Sequence, residues 1–307
     1  MTIIDMGAVA EEYMRWNFSR DPDVVPGSPR YFNLFDGDIY DNRAEPTQDT
    51  FEVTPILAKT ASQTLKNGTS VPQQQTVKFT EKKATTTKTS TTSGFKNSKT
   101  TKTGTKLNAG IKLDWFSAGG EFSTEVSVTG EYNHSTTQEH TTTTESTWEV
   151  TQPVTVPAYS TVIAKLYIYD ASFSVTCNLD GKIRGTATSP IPTYNDYMNM
   201  QYTKKSTNRT VTRWQYAGDM YNANWPGKPQ SFIGRGSAGD YNSLYYKGAG
   251  VARVASGIYT EVEFIETRAS GEVVSWKYGY IPNPDGSLLV VPQGSRGIEV
   301  LQGSQIY

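Results

Sequence analysis

Apolar and polar positions alternate with a period of two along most of this chain, beginning near Phe51. That period places successive side chains on opposite faces of a strand. One earlier stretch keeps a helical period instead. Met6, Val9, Ala10, Tyr13 and Met14 recur at i, i+3, i+4, i+7 and i+8, with Asp5 placed to cap them, so a short helix is predicted over 5–17. Residues 20–50 hold four prolines and Asp-Gly or Asp-Asn pairs, which read as loops and short strands. Residues 161–169 and 173–179 are strong strands, 258–265 and 272–278 resume them, and no second helical pattern occurs. The fold expected is mainly β, with long antiparallel strands and a short N-terminal helix.

The sharpest alternation lies in two adjacent segments. In 106–115 Leu107, Ala109, Ile111, Leu113 and Trp115 fall on one face, and Lys106, Lys112 and Asp114 on the other. In 121–132 Phe122, Val126, Val128 and Tyr132 face one way, and Glu121, Glu125 and Glu131 the other. The two apolar faces coincide only if opposed residue numbers sum to an odd value. A sum of 237 sets Trp115 against Phe122, Ile111 against Val126, Lys112 against Glu125 and Lys106 against Glu131. A sum of 235 opposes Asp114 with Glu121, and 239 loses both Lys–Glu pairs. Cross-strand pairs are worth about 0.2–1 kcal/mol each, so 237 is the expected register, with a four-residue turn at 117–120.

Composition changes this picture in two ways. Thr and Ser make up 13 of the 21 residues in 85–105 and 9 of the 13 in 135–147. A linker could look like this, but Thr is β-branched and suits a solvated strand, so strands are expected there too. Charge is the second change. The net charge is −1, against a globally basic nucleic-acid binder, yet residues 78–112 hold nine lysines and one acid while 121–149 hold six glutamates and no Lys or Arg. Pairing between these arms is the simplest account, since Phe79 and Phe95 alone make a poor stacking platform for nucleic acid.

Other chemistry is sparse. One cysteine excludes a disulfide framework, and Cys177 shares a strand face with Phe173, Val175 and Leu179, a buried inert position. His134 and His140 lack a zinc-protease spacing and read as part of a solvated Thr-rich strand. Gly234-x-Gly236-x-x-Gly239 lacks the helix that a dinucleotide site needs. No serine sits near a histidine for nucleophilic catalysis. No enzyme activity, metal or cofactor is expected. No apolar run approaches a membrane-spanning helix, and MTIIDMGAVAEEYMRW has no basic leading region, so it is not a Sec signal as it stands.

Two readings of the hairpin stay open on residues alone: an ordinary hairpin on a core, or a membrane element. Its arms match the roughly 9–11 residues of a tilted membrane strand, and one face is apolar and the other polar. A lone hairpin cannot satisfy its edges in lipid, so several copies would have to close into a barrel.

The ordered set of 67–95 (NGTSVPQQQTVKFTEKKATTTKTSTTSGF), this hairpin, 147–175 with Gln152-Pro153 and Val156-Pro157, and GAGVARVASGIYTEVEF at 248–264 resembles the aerolysin-like β-pore-forming toxins, in their epsilon-toxin and mosquitocidal-toxin branch with its bacterial insecticidal members. The resemblance covers roughly 51–185 and 248–280. It implies an elongated monomer that binds a cell-surface receptor, oligomerises and inserts one hairpin per subunit into the target-cell membrane. It implies action outside the producing cell, after secretion or release from a crystal inclusion. The hairpin, 99–133, would face lipid with Leu107, Ala109, Ile111, Leu113, Trp115, Phe116, Phe122, Val126, Val128 and Tyr132. Lys106, Lys112, Asp114, Glu121, Glu125 and Glu131 would line the pore.

A body of 51–185 plus 248–280 would then carry a small aromatic-rich head of 1–50 plus 186–247. Eight Tyr and two Trp lie between 190 and 250. They read either as a small core or as a receptor surface, protein or glycan, with Trp214, Tyr216, Tyr221, Trp225, Tyr241, Tyr245 and Tyr246 as candidates. In 281–307, where strands are expected to have ended near Tyr280, Arg296 in a Gly-Ser-Arg-Gly context is a candidate activation cleavage site. That tail is either a removable propeptide or a terminal strand. The competing functional class is a glycan-binding, lectin-like module or adhesin that never inserts.

Overall fold

The computed structural model describes residues 2–31, 38–96, 104–117, 120–185, 197–282 and 288–292. In chain order its elements are β1 (Thr2–Asp5), α1 (Met6–Ser19), β2 (Arg30–Tyr31), β3 (Asp38–Pro46), β4 (Thr50–Glu52), β5 (Ile56–Lys66), β6 (Gln73–Lys96), β7 (Gly104–Ser117), β8 (Gly120–Asn133), β9 (His140–Val156) and β10 (Thr161–Arg184). There follow β11 (Tyr197–Thr203), β12 (Thr210–Tyr216), α2 (Asp219–Asn222), β13 (Phe232–Arg235), β14 (Leu244–Thr267), β15 (Val273–Pro282) and β16 (Leu288–Pro292).

The N-terminal helix forms as its pattern predicts. The Asp5 carboxylate accepts from the Ala8 amide at 3.2 Å, and Met6, Ala10, Tyr13, Met14 and Phe18 are its buried face. The one-turn α2 carries no periodic signal, being too short for one.

Two strands of 24 residues, β10 and β14, run antiparallel from Thr161 opposite Thr267 to Ile183 opposite Leu244 and form the spine. The expected separate strands 161–169 and 173–179 are therefore one. A register shift at Tyr169/Asp170 carries β10 through the intervening polar residues, and such a bulge bends a strand without ending it. Both Thr-rich tracts are strand over 85–96 and 140–147, with a loop at 135–139: β6 pairs antiparallel with β9 over Gln73–Thr89, then with β14 over Thr86–Ser93.

At one end of the spine β5, β10, β14, β15 and β16 form one layer and the β6–β9 ribbon faces it. Between them lies a core that includes Val77, Phe79, Trp148 and Val150 from the ribbon and Leu166, Ile168, Val262 and Phe264 from the spine. The segregated charge resolves partly within the chain. Lys78 Nζ lies 2.8 Å from Glu149, each about half exposed, so water screens the pair.

At the other end α1, α2 and the three-stranded sheet β12-β11-β2 close over a second core that includes Met6, Met14, Phe18, Met200 and Trp225. Phe95, Ile183 and Tyr246 of the long strands belong to that same core. The tail contains a strand, one of the two readings left open for it. After β15, residues 288–292 return as β16 along its edge, with Tyr280 opposite Val290. Strands therefore continue past Tyr280. Arg296 lies outside the described residues, as do 99–103 of the expected hairpin and 186–196 of the expected head.

Candidate membrane-insertion hairpin and head surface

β7 and β8 pair in the register that charge and apolar faces dictate. Lys106 stands opposite Glu131, Lys112 opposite Glu125, Ile111 opposite Val126 and Trp115 opposite Phe122. Ser117 pairs with Gly120 at the turn, whose central residues 118 and 119 are outside the described set. Each arm is 14 residues long, enough to cross a bilayer at a tilt.

The hairpin lies docked along the middle of the spine. Leu107, Ile111, Leu113, Trp115, Phe122, Val126, Val128 and Tyr132 are all at most 8% exposed. They pack on Ala171, Val175, Cys177 and Leu179 of β10 and on Ala252, Val254, Ile258 and Tyr259 of β14. Ala109 is partly buried, whereas Phe116 at the tip is 72% exposed. On the other face Lys106, Lys112, Glu121, Glu125 and Glu131 are exposed, and Asp114 is half-buried beside Lys112, 3.1 Å away. Burying an apolar side chain is worth about 1.5–3 kcal/mol, so eight of them hold this face against water by a gross amount on the order of 10 kcal/mol or more.

What holds the edges is different. A short strap, 49–53, runs parallel to β7: β4 pairs Thr50 with Lys112 and Glu52 with Asp114, the Lys112 amide donates to the Asp49 carbonyl at 2.7 Å, and Val53 donates to Asp114 at 2.9 Å. On the β8 side the threonines of β6 do the holding. Thr89 Oγ1 donates to the Glu131 carbonyl, and Thr91 Oγ1 to the Asn133 carbonyl at 2.8 Å. Gly130 permits this approach, since a Cβ there would stand 2.6 Å from the Thr89 methyl. The strap has no sequence signal: three residues after a Pro-rich loop show no period.

Two polar atoms are poorly served by the docked state. Trp115 Nε1 is buried without a hydrogen-bond partner. The Tyr132 hydroxyl has no oxygen or nitrogen partner and meets only the Cys177 thiol, a weak acceptor; burial pushes both the phenol and the thiol above their ordinary ranges. Cys177 is fully buried, in the setting its strand face predicts.

His134 corrects the expectation of a solvated strand. It is 1% exposed, and burial pushes its imidazole down to about 4. Its two ring nitrogens meet Thr105 Oγ1 and, at 3.2 Å, the Tyr246 hydroxyl, and its ring stacks on Phe95. A polar neighbourhood in sequence concealed a site built from three distant strands. Among the described residues no group of His, Cys, Asp and Glu could hold a metal, and no helix is long and apolar enough to cross a membrane, which says nothing of a β-barrel.

A profile of the Clostridium epsilon toxin ETX/Bacillus mosquitocidal toxin MTX2 family matches residues 26–274. The chain belongs to that family. It is 29% identical over 300 residues to the pesticidal crystal protein Cry15Aa of Bacillus thuringiensis subsp. thompsoni, covering 96% of this chain and 84% of the relative. Its fold is shared by the Mpp75Aa1.1 beta-pore-forming protein of Brevibacillus laterosporus, with a TM-score of 0.54, 14% identity and coverage of 94% and 96% of the two chains. A non-toxic crystal protein of Bacillus thuringiensis shares the fold as well, with a TM-score of 0.61, 16% identity and coverage of 93% and 100%. The chain is thus a member of a toxin family, with a fold shared by both a β-pore-forming protein and a non-toxic crystal protein.

In this ETX/MTX2 chain the aromatic candidates of the head divide. Trp225 and Tyr246 are 4% and 2% exposed and sit in the head core, so the expectation that they form exposed surface is corrected. Trp225 donates to the Met220 carbonyl at 2.9 Å and packs on Tyr13, while Tyr246 packs edge-on against Phe95. Their Asn-, Gly- and Pro-rich surroundings in sequence hid partners lying in α1 and β6. Trp214, Tyr216 and Tyr221 are half-buried.

Tyr241 is 45% exposed and Tyr245 half-buried, and the structure adds Tyr40, Lys182 and Arg184 to them. Arg184 lies 4.3 Å over the Tyr241 ring, and Lys182 bridges Asp41 at 3.0 Å and Asp240 at 3.1 Å. Tyr40 and Tyr245 both donate to Asp240, and burial pushes the Tyr40 phenol up to about 12. Asp41, Tyr241 and Asn242 hold left-handed backbone with φ of 52°, 53° and 45°, strain that non-glycine residues rarely bear.

Proposed function

We propose that this protein is an insecticidal toxin whose β7–β8 hairpin leaves the spine and inserts into the membrane of a target cell, several copies closing one barrel. The observation that carries this reading is the hairpin itself: one face mostly apolar, broken only by the small Thr105 and Thr124, and stored on a core, the other charged and largely in water, in a single register. Oligomerisation follows from the edges, because a lone hairpin in lipid would leave its outer backbone groups unpaired. The charged face then lines the lumen, with Lys106 and Lys112 against Asp114, Glu121, Glu125 and Glu131.

Docking precedes insertion in this reading. A head built from 1–50 and 186–247 carries the receptor surface, and the Tyr40, Tyr241 and Tyr245 cluster with its strained backbone is its best-founded part. The pesticidal name of Cry15Aa supports an insect target. The tail strand β16 lies on the β15 edge, where its removal by a protease would bare backbone for pairing with another subunit.

The test is a single-cysteine scan of 106–132 in a Cys177→Ser background, with an environment-sensitive dye, on target-cell membranes releasing a trapped fluorophore. Labels at 107, 111, 113, 126 and 128 should report lipid as leakage begins, while those at 106, 112, 125 and 131 stay in water. Binding without leakage and without this alternation would favour a non-inserting lectin-like module instead.

A further inference from the structure

His134 lies where the hairpin base, the head core and the spine meet. It follows Asn133, the last residue of β8, so the chain leaves the hairpin through it. Its ring touches β7 through Thr105, β14 through Tyr246 and β6 through Phe95, whose centroid is 6.0 Å away. Its carbonyl presses on Gly94, where a Cβ would stand 2.4 Å from the oxygen. Swinging β7–β8 off the spine pulls this side chain out of its socket.

We propose that His134 is an acid-sensitive latch that keeps the hairpin base docked while neutral and releases it on protonation. In a neutral imidazole one ring nitrogen donates and the other accepts, which two hydroxyl partners satisfy in either sense. The hydroxyls could also accept from both nitrogens of the cation, so hydrogen bonding does not oppose charging. Burial opposes it. The socket walls are Phe95 and Tyr246, and among the described residues no carboxylate shifts the imidazole's titration; burial does.

The charged and titratable groups around it are few. From β14 comes Tyr246 itself, whose phenol burial keeps neutral; β3 offers the Asn42 amide to that phenol, and the Asp180 charge on β10 acts on Tyr246 rather than on the imidazole. Lys96 at the end of β6 is drawn to Asp5 at the surface, and Glu139, in the loop leaving His134, is paired with Arg253 in solvent.

The sign follows from the depressed titration. A histidine freed to water protonates near 6.5, whereas the docked one does so near 4. The released form binds the extra proton between these values, so docking is unaffected above about pH 6.5 and weakens about tenfold per pH unit below it, levelling off near pH 4. The inference rests on reading β7–β8 as the moving element. Its readout is in solution, so a failure to leak membranes would not bear on it.

The experiment is hydrogen exchange of the full chain from pH 7.5 to 4.5, corrected for intrinsic exchange, comparing hairpin peptides with β10–β14 peptides. The opening constant of 104–133 should rise about tenfold per unit below pH 6.5, with the spine unchanged. His134→Gln keeps a donor and an acceptor without a titrating charge, and should be protected at pH 7.5 and lose the slope. Thr105→Val keeps the imidazole, and should open more at every pH while retaining the slope. Should the Gln variant not fold, the wild-type slope, the Thr105→Val curve and NMR titration of His134 decide. A flat wild-type profile, an equal slope in His134→Gln, opening of the spine together with the hairpin, or an imidazole titrating near 6.5 would each overturn the latch.

Discussion

The spine and the hairpin are both long antiparallel pairs, yet they are joined to the molecule in opposite ways. β10 and β14 hydrogen-bond to each other along nearly their whole length, and each is flanked by further strands. β7 and β8 hydrogen-bond to each other, but among the described residues their backbone meets the rest of the fold only through the strap at 49–53 and the threonines of β6. Everything else is side chain on side chain. A ladder cannot be undone without stranding buried amides, whereas an apolar face can be exchanged for lipid at little cost. The same strand chemistry thus makes one element held by backbone ladders on both sides and one held mainly by side chains, which the proposed function requires to leave.

The largest effect should come from turning the second kind of attachment into the first. A disulfide between Thr50→Cys and Lys112→Cys, paired residues of strap and hairpin, should cut leakage at least 100-fold and restore it on reduction. Gly110→Cys with Ser127→Cys, which closes a link inside the hairpin, should leave leakage within about threefold, because that bond travels with the hairpin. Equal inhibition by both links would erase the distinction between spine and hairpin. For these disulfide experiments Cys177 is fully buried and stays out of the exchange.

Next comes packing where the two elements touch. A Cβ at Gly250 of β14 would lie 2.4 Å from the Tyr132 ring. Gly250→Ala should destabilise the docked hairpin by about 1–3 kcal/mol, seen as faster proteolysis within 104–133, while the β10–β14 amides stay protected from exchange. If spine and hairpin lose protection together, the hairpin is no separate unit. Tyr132→Phe acts in the opposite sense. It removes a buried hydroxyl that meets only a thiol, and should stabilise docking by about 1 kcal/mol in denaturant titrations and slow leakage.

The smallest effect is in the lumen. Two lysines against four acids leave −2 per subunit on the polar face, so pores should prefer cations weakly. Glu121→Gln with Glu125→Gln brings that to zero and should abolish the preference, read as a reversal potential moving by a few millivolts. An anion-selective wild-type pore would argue that this face does not line the channel.

The hairpin was legible because its signal is local. Strict alternation over 106–115 and a nearly regular one over 121–132, with Lys106 and Lys112 on one arm and Glu125 and Glu131 on the other, leave one register standing. The Thr tracts were legible as strands for the same reason, although their partners were not. What stayed hidden depends on contacts between distant segments. Nothing near position 134 announces that Phe95 and Tyr246 will enclose its imidazole. Nothing near Trp225 announces α1. The strap is too short for a period, and β16 follows a Pro-Asn-Pro segment that reads as an ending. The exposed Tyr241 was found by composition, but Tyr40, Lys182 and Arg184 join it only through the pairing of β3 with β10.

If the hairpin leaves as proposed, the threonine seam between β6 and β8 gives that release an adjustable rate constant. A hydroxyl on a carbonyl is a contact that a single water replaces, and a methyl against Gly130 is one that a single substitution trims. Thr→Ser loosens the grip, Thr→Val removes the bond and keeps the shape, and neither touches the lumen face or the buried aromatics. The low-complexity tract is therefore where drift can retime release while leaving the weapon itself unchanged, and related toxins differing mainly in these threonines should differ in speed before they differ in what they permeabilise.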